Sequence, residues 1–189
     1  MKIDQFLEIM HLAERMKCNT RHSWTSTGRH ESVAEHSWRL CLMAYFIRDE
    51  FPDADMDKVL KMCLIHDFGE AFTGDIPAFI KTANDEATES SAISSFLQTL
   101  PDNYRNELHA LFDEMNALQT QESRIYKALD KMEAIIQHNE ADVSTWLPLE
   151  YDLNLTYGVK EAQAAPYLST LRSALIDETK QKAPEYYNK

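Results

Sequence analysis

The chain has 189 residues, 44% of them apolar, and its 19 basic and 31 acidic side chains leave a formal charge of −12. That length and a mean hydropathy of −0.46 suit one soluble domain with a sizeable core. The acidic balance excludes a binder of nucleic-acid polymers, which needs clustered Lys and Arg to displace counterions. A small anionic ligand would need a local positive centre such as a metal ion.

Four glycines and six prolines fall well below the roughly 12% of an average chain. Sheets need turn residues at short intervals, so the shortage predicts an all-α fold with long helices. Cys18, Cys41 and Cys63 form no Cys-x-x-Cys pair and leave one unmatched, the pattern of reduced thiols in the cytoplasm. The first residues are interrupted by Asp4, Glu8 and His11, so they read as neither a signal peptide nor a membrane span.

In chain order, Ile3, Phe6, Leu7, Met10, Ala13 and Met16 recur at helical spacing and predict a first helix over about Ile3 to Met16. The polar stretch from Asn19 to Glu31 reads as a long loop, and such loops are often functional. Ser32 with Glu35 forms a capping-box pattern that opens a helix ending near Asp49. Asp55 caps the next, from about Met56 to His66, apolar on almost every side and so expected at the centre of the domain. Gly74 and Pro77 mark an irregular crossover. Further helices are expected near Asp85–Leu100, Asp102–Leu118, Gln121–Glu140 and Tyr167–Thr179, before a polar tail. The whole, residues 1–189, reads as a single domain, with a core over about 1–140 and an extension over about 141–189 that carries no legible motif.

The chemistry-bearing residues begin with His36, which falls inside the apolar stripe of Val33, Leu40, Met43, Ala44 and Ile47. Taken alone it is more readily a core histidine satisfied by a carbonyl than a ligand. His66 ends a helix with no solvated side, and Asp67 adjoins it. Unpaired buried polar groups cost about 1–3 kcal/mol each, and one metal ion satisfies several together. Glu70 and Asp75 follow within ten residues, too many donors for a merely solvated turn. Arg21 and Arg29 are candidates to clamp phosphate, and Trp24 offers a flat surface to a base; the alternative is a surface loop pinned by its Trp. Asp130 lies about 140° round its helix from Ile125, so periodicity alone assigns it to solvent. His138 also reads as exposed.

The ordered set resembles the HD superfamily of metal-dependent phosphohydrolases. The motifs are Glu31-Ser32-Val33-Ala34-Glu35-His36-Ser37, His66-Asp67-x-x-Glu70, Gly74-Asp75-Ile76 and Lys127-Ala128-Leu129-Asp130-Lys131-Met132-Glu133. They are most similar to the branch of the bacterial 5′-deoxynucleotidases and their eukaryotic relatives. The resemblance implies an HD-domain helical bundle with metal ligands at His36, His66, Asp67 and Asp130. It also implies a catalytic carboxylate at Glu70 and a catalytic, sugar-contacting one at Asp75. The substrate wall would comprise Arg21, Trp24 and Arg29, although in the bacterial enzymes the Arg and Trp are adjacent. The implied cofactor is one divalent ion, for which Mn, Co, Fe and Zn all suit two imidazoles and two carboxylates. The implied activity is hydrolysis of nucleoside 5′-monophosphates, and the implied assembly a homodimer. Two alternatives stay open. One is hydrolysis of pyrophosphorylated nucleotides, against which Ala71 stands where that group has an acidic residue. The other is a non-catalytic metal- and nucleotide-binding module, in which Glu70 and Asp75 would have no use.

Overall fold

The computed structural model describes residues 1–187. Helix α1 (Ile3–Cys18) leads into a two-stranded antiparallel hairpin, β1 (Thr20–Trp24) and β2 (His30–Ser32), with Thr20 opposite Ser32 and Trp24 opposite His30. The stretch expected to be an irregular loop is therefore a hairpin. Its tip closes through the Thr25 N–H donating to the Arg29 carbonyl at 2.7 Å. Gly28 supplies a φ of +80° at that tip, a conformation costly for other residues.

Ser32 then caps α2 (Val33–Phe46), its hydroxyl accepting from the Glu35 N–H while the Glu35 carboxylate accepts from the Ser32 N–H. This reciprocal cap fixes where the helix starts, and thereby which way His36, one turn in, must point. The helix ends three residues short of its expected limit, in a 3₁₀ turn at Arg48–Glu50. Asp55 caps α3 (Met56–Ile65) by accepting from the Lys58 N–H. One side of α3 reaches the surface, with Leu64 62% exposed, so the helix is less enclosed than its composition suggests.

A short helix, α4 (Glu70–Thr73), follows, then α5 (Ala83–Leu97), α6 (Asp102–Ala117) and the long α7 (Gln121–Glu140). The core lies where α2, α3 and α7 meet, filled by Leu40, Ala44, Val59, Met62, Leu129 and Met132, all fully buried. The region without a legible motif forms α8 (Pro148–Thr156), α9 (Val159–Ala162), α10 (Pro166–Lys182) and α11 (Pro184–Tyr187). Leu168 and Leu175 of α10 join the same core, so this segment completes the bundle. No described helix is long and apolar enough to cross a membrane.

Candidate metal centre and adjoining cavity

Four side chains from three separate stretches of sequence converge at the α2–α3–α7 junction. His36 Nε2 lies 3.2 Å from His66 Nε2, 3.7 Å from Asp67 Oδ2 and 3.3 Å from Asp130 Oδ1. His66 Nε2 lies 3.0 Å from Asp67 Oδ2 and 3.6 Å from Asp130 Oδ1. Each imidazole is oriented from behind. His66 Nδ1 donates to the Cys63 carbonyl at 2.9 Å, and His36 Nδ1 pairs with the buried Glu133 carboxylate. Both partners only accept hydrogen bonds, so both Nδ1 atoms carry the proton. In the neutral rings the two Nε2 lone pairs then face each other across a gap rimmed by two carboxylates.

That arrangement requires a positive species between the rings, and the donor set suits a divalent transition ion. The surrounding charges make the same demand. Burial and Arg21 disfavour a charged His36, yet Glu133 and Asp130 lift it to about 9. Burial opposes ionisation of Asp67 and Asp130, but His66 holds the first and Lys127 the second below the usual carboxylate range. Lys127 Nζ lies 2.8 Å from Asp130 Oδ2.

Asp130 points into the cluster, with its side chain only 15% exposed. The wheel assigned it to solvent because α7 is buried on two sides. Ile125, Leu129 and Met132 face the apolar core, while Tyr126, Glu133 and Gln137, also buried, line a polar interior with Asp130.

Glu70 and Asp75 sit beside the cluster. Glu70 is 5% exposed, and its Oε2 has no hydrogen-bond partner among the described residues. Burial, with the charges of Asp67 and Asp75, pushes its carboxyl up to about 10 against the pull of Arg21. Asp75 is raised by burial and by Asp67, with Arg21 and the His22 N–H opposing. Gly74, at φ +78°, lets the chain turn sharply between these two carboxylates.

Of the three hairpin residues, only Arg21 reaches the cluster. Its Nη1 lies 3.4 Å from Asp67 Oδ2 and its Nε 3.3 Å from Glu31 Oε2, without hydrogen-bond alignment at the latter. Arg29 instead forms an exposed pair with Glu35 at 2.6 and 2.9 Å. The Trp24 ring lies against His30, centroids 3.9 Å apart and planes tilted by 37°, and its carbonyl accepts from Gln137 Nε2 at 2.6 Å.

Glu133 and Glu31 were not singled out from sequence. Glu133 accepts from Arg39 Nε at 2.6 Å as well as from His36, and Arg39 also reaches Gln137 and Glu140. The signal was the i, i+3 spacing of Asp130 and Glu133 and the i, i+4 step to Gln137, one face of one helix. His138 is not exposed: its ring, 13% accessible, lies 3.5 Å from Glu150. It helps line a cavity of about 90 Å³ beside the cluster, together with Arg21, His22, Asp75, Phe79, Glu150 and Asn154.

The HD domain family matches residues 13–172, well past the edge expected near residue 140. This chain belongs to the HD-domain family. It is 30% identical over 138 residues to the 5′-deoxynucleotidase HDDC2 of Homo sapiens, covering 71% of this chain and 67% of the relative. Similarity to the 5′-deoxynucleotidase hdd1 of Schizosaccharomyces pombe is 31% over 131 residues, 65% of each chain. Among solved structures, a “predicted metal-dependent phosphohydrolase” from Magnetospirillum magnetotacticum MS-1 superposes with a TM-score of 0.81 at 25% identity. That match covers 96% of this chain and 94% of the other.

Proposed function

We propose that this chain is a metal-dependent 5′-nucleotidase that hydrolyses nucleoside 5′-monophosphates to nucleoside and phosphate. The observation that carries this is the pair of facing Nε2 atoms, 3.2 Å apart, each imidazole locked from behind and flanked by Asp67 and Asp130. The similarity to named 5′-deoxynucleotidases supports the substrate class.

His36, His66, Asp67 and Asp130 would hold one divalent ion, of Mn, Co, Fe or Zn type. When bound, such an ion supplies Lewis acidity toward water and phosphate oxygens. Arg21 orients the phosphate, since its Nε lacks an aligned partner and its planar guanidinium matches phosphate geometry. Glu70 handles the proton of the attacking water, or passes one with Asp75 to the departing 5′ oxygen as its bond to phosphorus breaks. A carboxyl raised toward 10 is easy to protonate, and added positive charge beside Asp67 draws it back toward neutral pH, where an acid–base group works best. Asp75, at the boundary between cluster and cavity, contacts the sugar. Neither Arg29 nor Trp24 is needed for these steps.

We also place the protein in the cytoplasm, which fits its free Cys18, Cys41 and Cys63, and propose that it pairs with a second copy of itself. Trp38, Leu42, Tyr45 and Phe46 form an exposed apolar stripe on α2, with Phe46 77% accessible. Sedimentation at micromolar concentration should show a dimer that Phe46→Glu dissociates; a monomeric parent protein rejects the pairing.

The test of activity is phosphate release from ribo- and deoxyribonucleoside monophosphates with Mn²⁺ or Co²⁺. Glu70→Ala should cost about 10²–10⁴-fold while calorimetry still registers metal binding. Undiminished turnover in that variant removes Glu70 from the chemistry. Nucleotide-dependent stabilisation without phosphate release, with every metal, would instead favour a binding module.

A further inference from the structure

The cavity beside the cluster has a shape and a polar lining that the hydrolytic chemistry leaves unused. Arg21 and Asp75 belong to both places. A phosphate held at the cluster and a sugar at Asp75 would therefore direct the base of the same nucleotide into this space. We propose that the cavity is a pyrimidine-base pocket in which Asn154 is the specificity-determining hydrogen-bond donor, an inference that rests on the nucleotidase function above.

Size admits a single ring. About 90 Å³ is space enough for a six-membered ring with its exocyclic substituents. The walls suit a flat, partly apolar guest. Pro77, Phe79, Ile135 and Leu153 line the cavity, and Phe79 meets the His22 ring edge-on at 5.5 Å.

The polar lining gives the pocket a direction. Asn154 is 2% exposed. Its backbone carbonyl accepts from Arg172 Nη2 at 2.6 Å, but its side-chain Nδ2 has no partner among the described residues. A buried donor left unmatched is uncommon and costly, and so points to an absent acceptor. Glu150, the acidic group nearby, is already engaged. One oxygen accepts from the Leu147 N–H at 2.6 Å, and the other lies 3.0 Å from His22 Nε2 and 3.5 Å from His138 Nε2. Its acceptor capacity is spent on the two histidines, and the free amide donor of Asn154 remains. That lining complements a ring carbonyl, which every nucleotide pyrimidine carries beside its sugar-bearing nitrogen and adenine lacks altogether.

Two measurements test this. The chelator-treated full-length protein is titrated calorimetrically with thymidine, deoxyuridine and deoxyadenosine. With Mn²⁺ present, kcat and KM are measured for the matching monophosphates. The parent protein should prefer pyrimidine over purine by about tenfold in both assays. Asn154→Ala and Asn154→Asp should raise KM for the pyrimidine substrates about tenfold with kcat within threefold, collapsing the preference. Neither substitution removes a side-chain hydrogen bond among the described residues, and a cooperative thermal melt confirms that each variant folds. Equal binding of purine and pyrimidine nucleosides, no nucleoside binding, or unchanged KM in both variants overturns the pocket. Absence of phosphate release from every monophosphate defeats the nucleotidase function instead, and the nucleoside titration still decides the pocket.

Discussion

Two buried polar assemblies lie in this protein, and they are built on opposite principles. At the α8–α10 contact, Arg172 is 2% exposed and donates to the carbonyls of Tyr157 and Asn154 at 2.9 and 2.6 Å. Two of its donors meet carbonyls and tie the end of α8 to α10, while its Nη1 has no partner among the described residues. At the α2–α3–α7 junction, lone pairs of His36 and His66 meet each other, and the carboxylates of Asp67 and Asp130 stand beside them. That assembly does not close without an added positive charge. Burial of charge is common to both, so burial does not mark the site. What marks it is the direction in which the polar atoms are aimed.

The contrast breaks in opposite ways under substitution. Asp130→Asn removes a candidate ligand but no core packing, and it should lower turnover about 10³-fold or more, several kcal/mol of barrier. Metal at about 100 times its Kd should stabilise the parent protein by about 2.7 kcal/mol, which at 2–4 °C per kcal/mol is a Tm rise of roughly 5–11 °C. The variant should lose that rise. Arg172→Met should do the reverse. It strands two carbonyls and costs about 3 kcal/mol, a Tm drop of roughly 6–12 °C, while the metal-induced rise persists. If Asp130→Asn keeps the metal-induced rise, the cluster is a structural tie like that of Arg172.

The difference between the assemblies also explains which parts could be read from sequence. His36 and His66 stood out because each interrupts an apolar face, and Asp67, Glu70 and Asp75 follow within ten residues. The capping box at Ser32 and Glu35 located the start of α2 correctly. Asp130 was legible only through the family motif. A wheel assumes one core and one solvent side, whereas α7 is enclosed on both. The hairpin escaped notice because its strands are too short to show alternation. The order of α8 had a local signal, Pro148 at its first turn with Glu150 reaching back to the Leu147 N–H. The cavity had none, since His22, Phe79, His138 and Asn154 meet only through tertiary packing.

The smallest expected effect concerns Glu133, which touches the cluster only through His36. Its carboxylate accepts from His36 Nδ1 and from Arg39 Nε, so it selects the imidazole tautomer that presents Nε2 to the cluster. Burial opposes its ionisation, yet His36, Arg21 and Arg39 hold its pKa below the usual value. Glu133→Gln preserves size and can still accept one hydrogen bond, but the amide also donates and carries no charge. The ring then loses its fixed orientation, and Arg39 keeps Glu140 as its close carboxylate partner. Outer partners of this kind are worth 10–100-fold in metal affinity, roughly 1.4–2.7 kcal/mol. Calorimetric titration of Glu133→Gln with Mn²⁺ should show that weakening, and saturating metal should restore most of the turnover. A loss of turnover that excess metal leaves untouched would mean that Glu133 acts on the reaction itself and not through the orientation of His36.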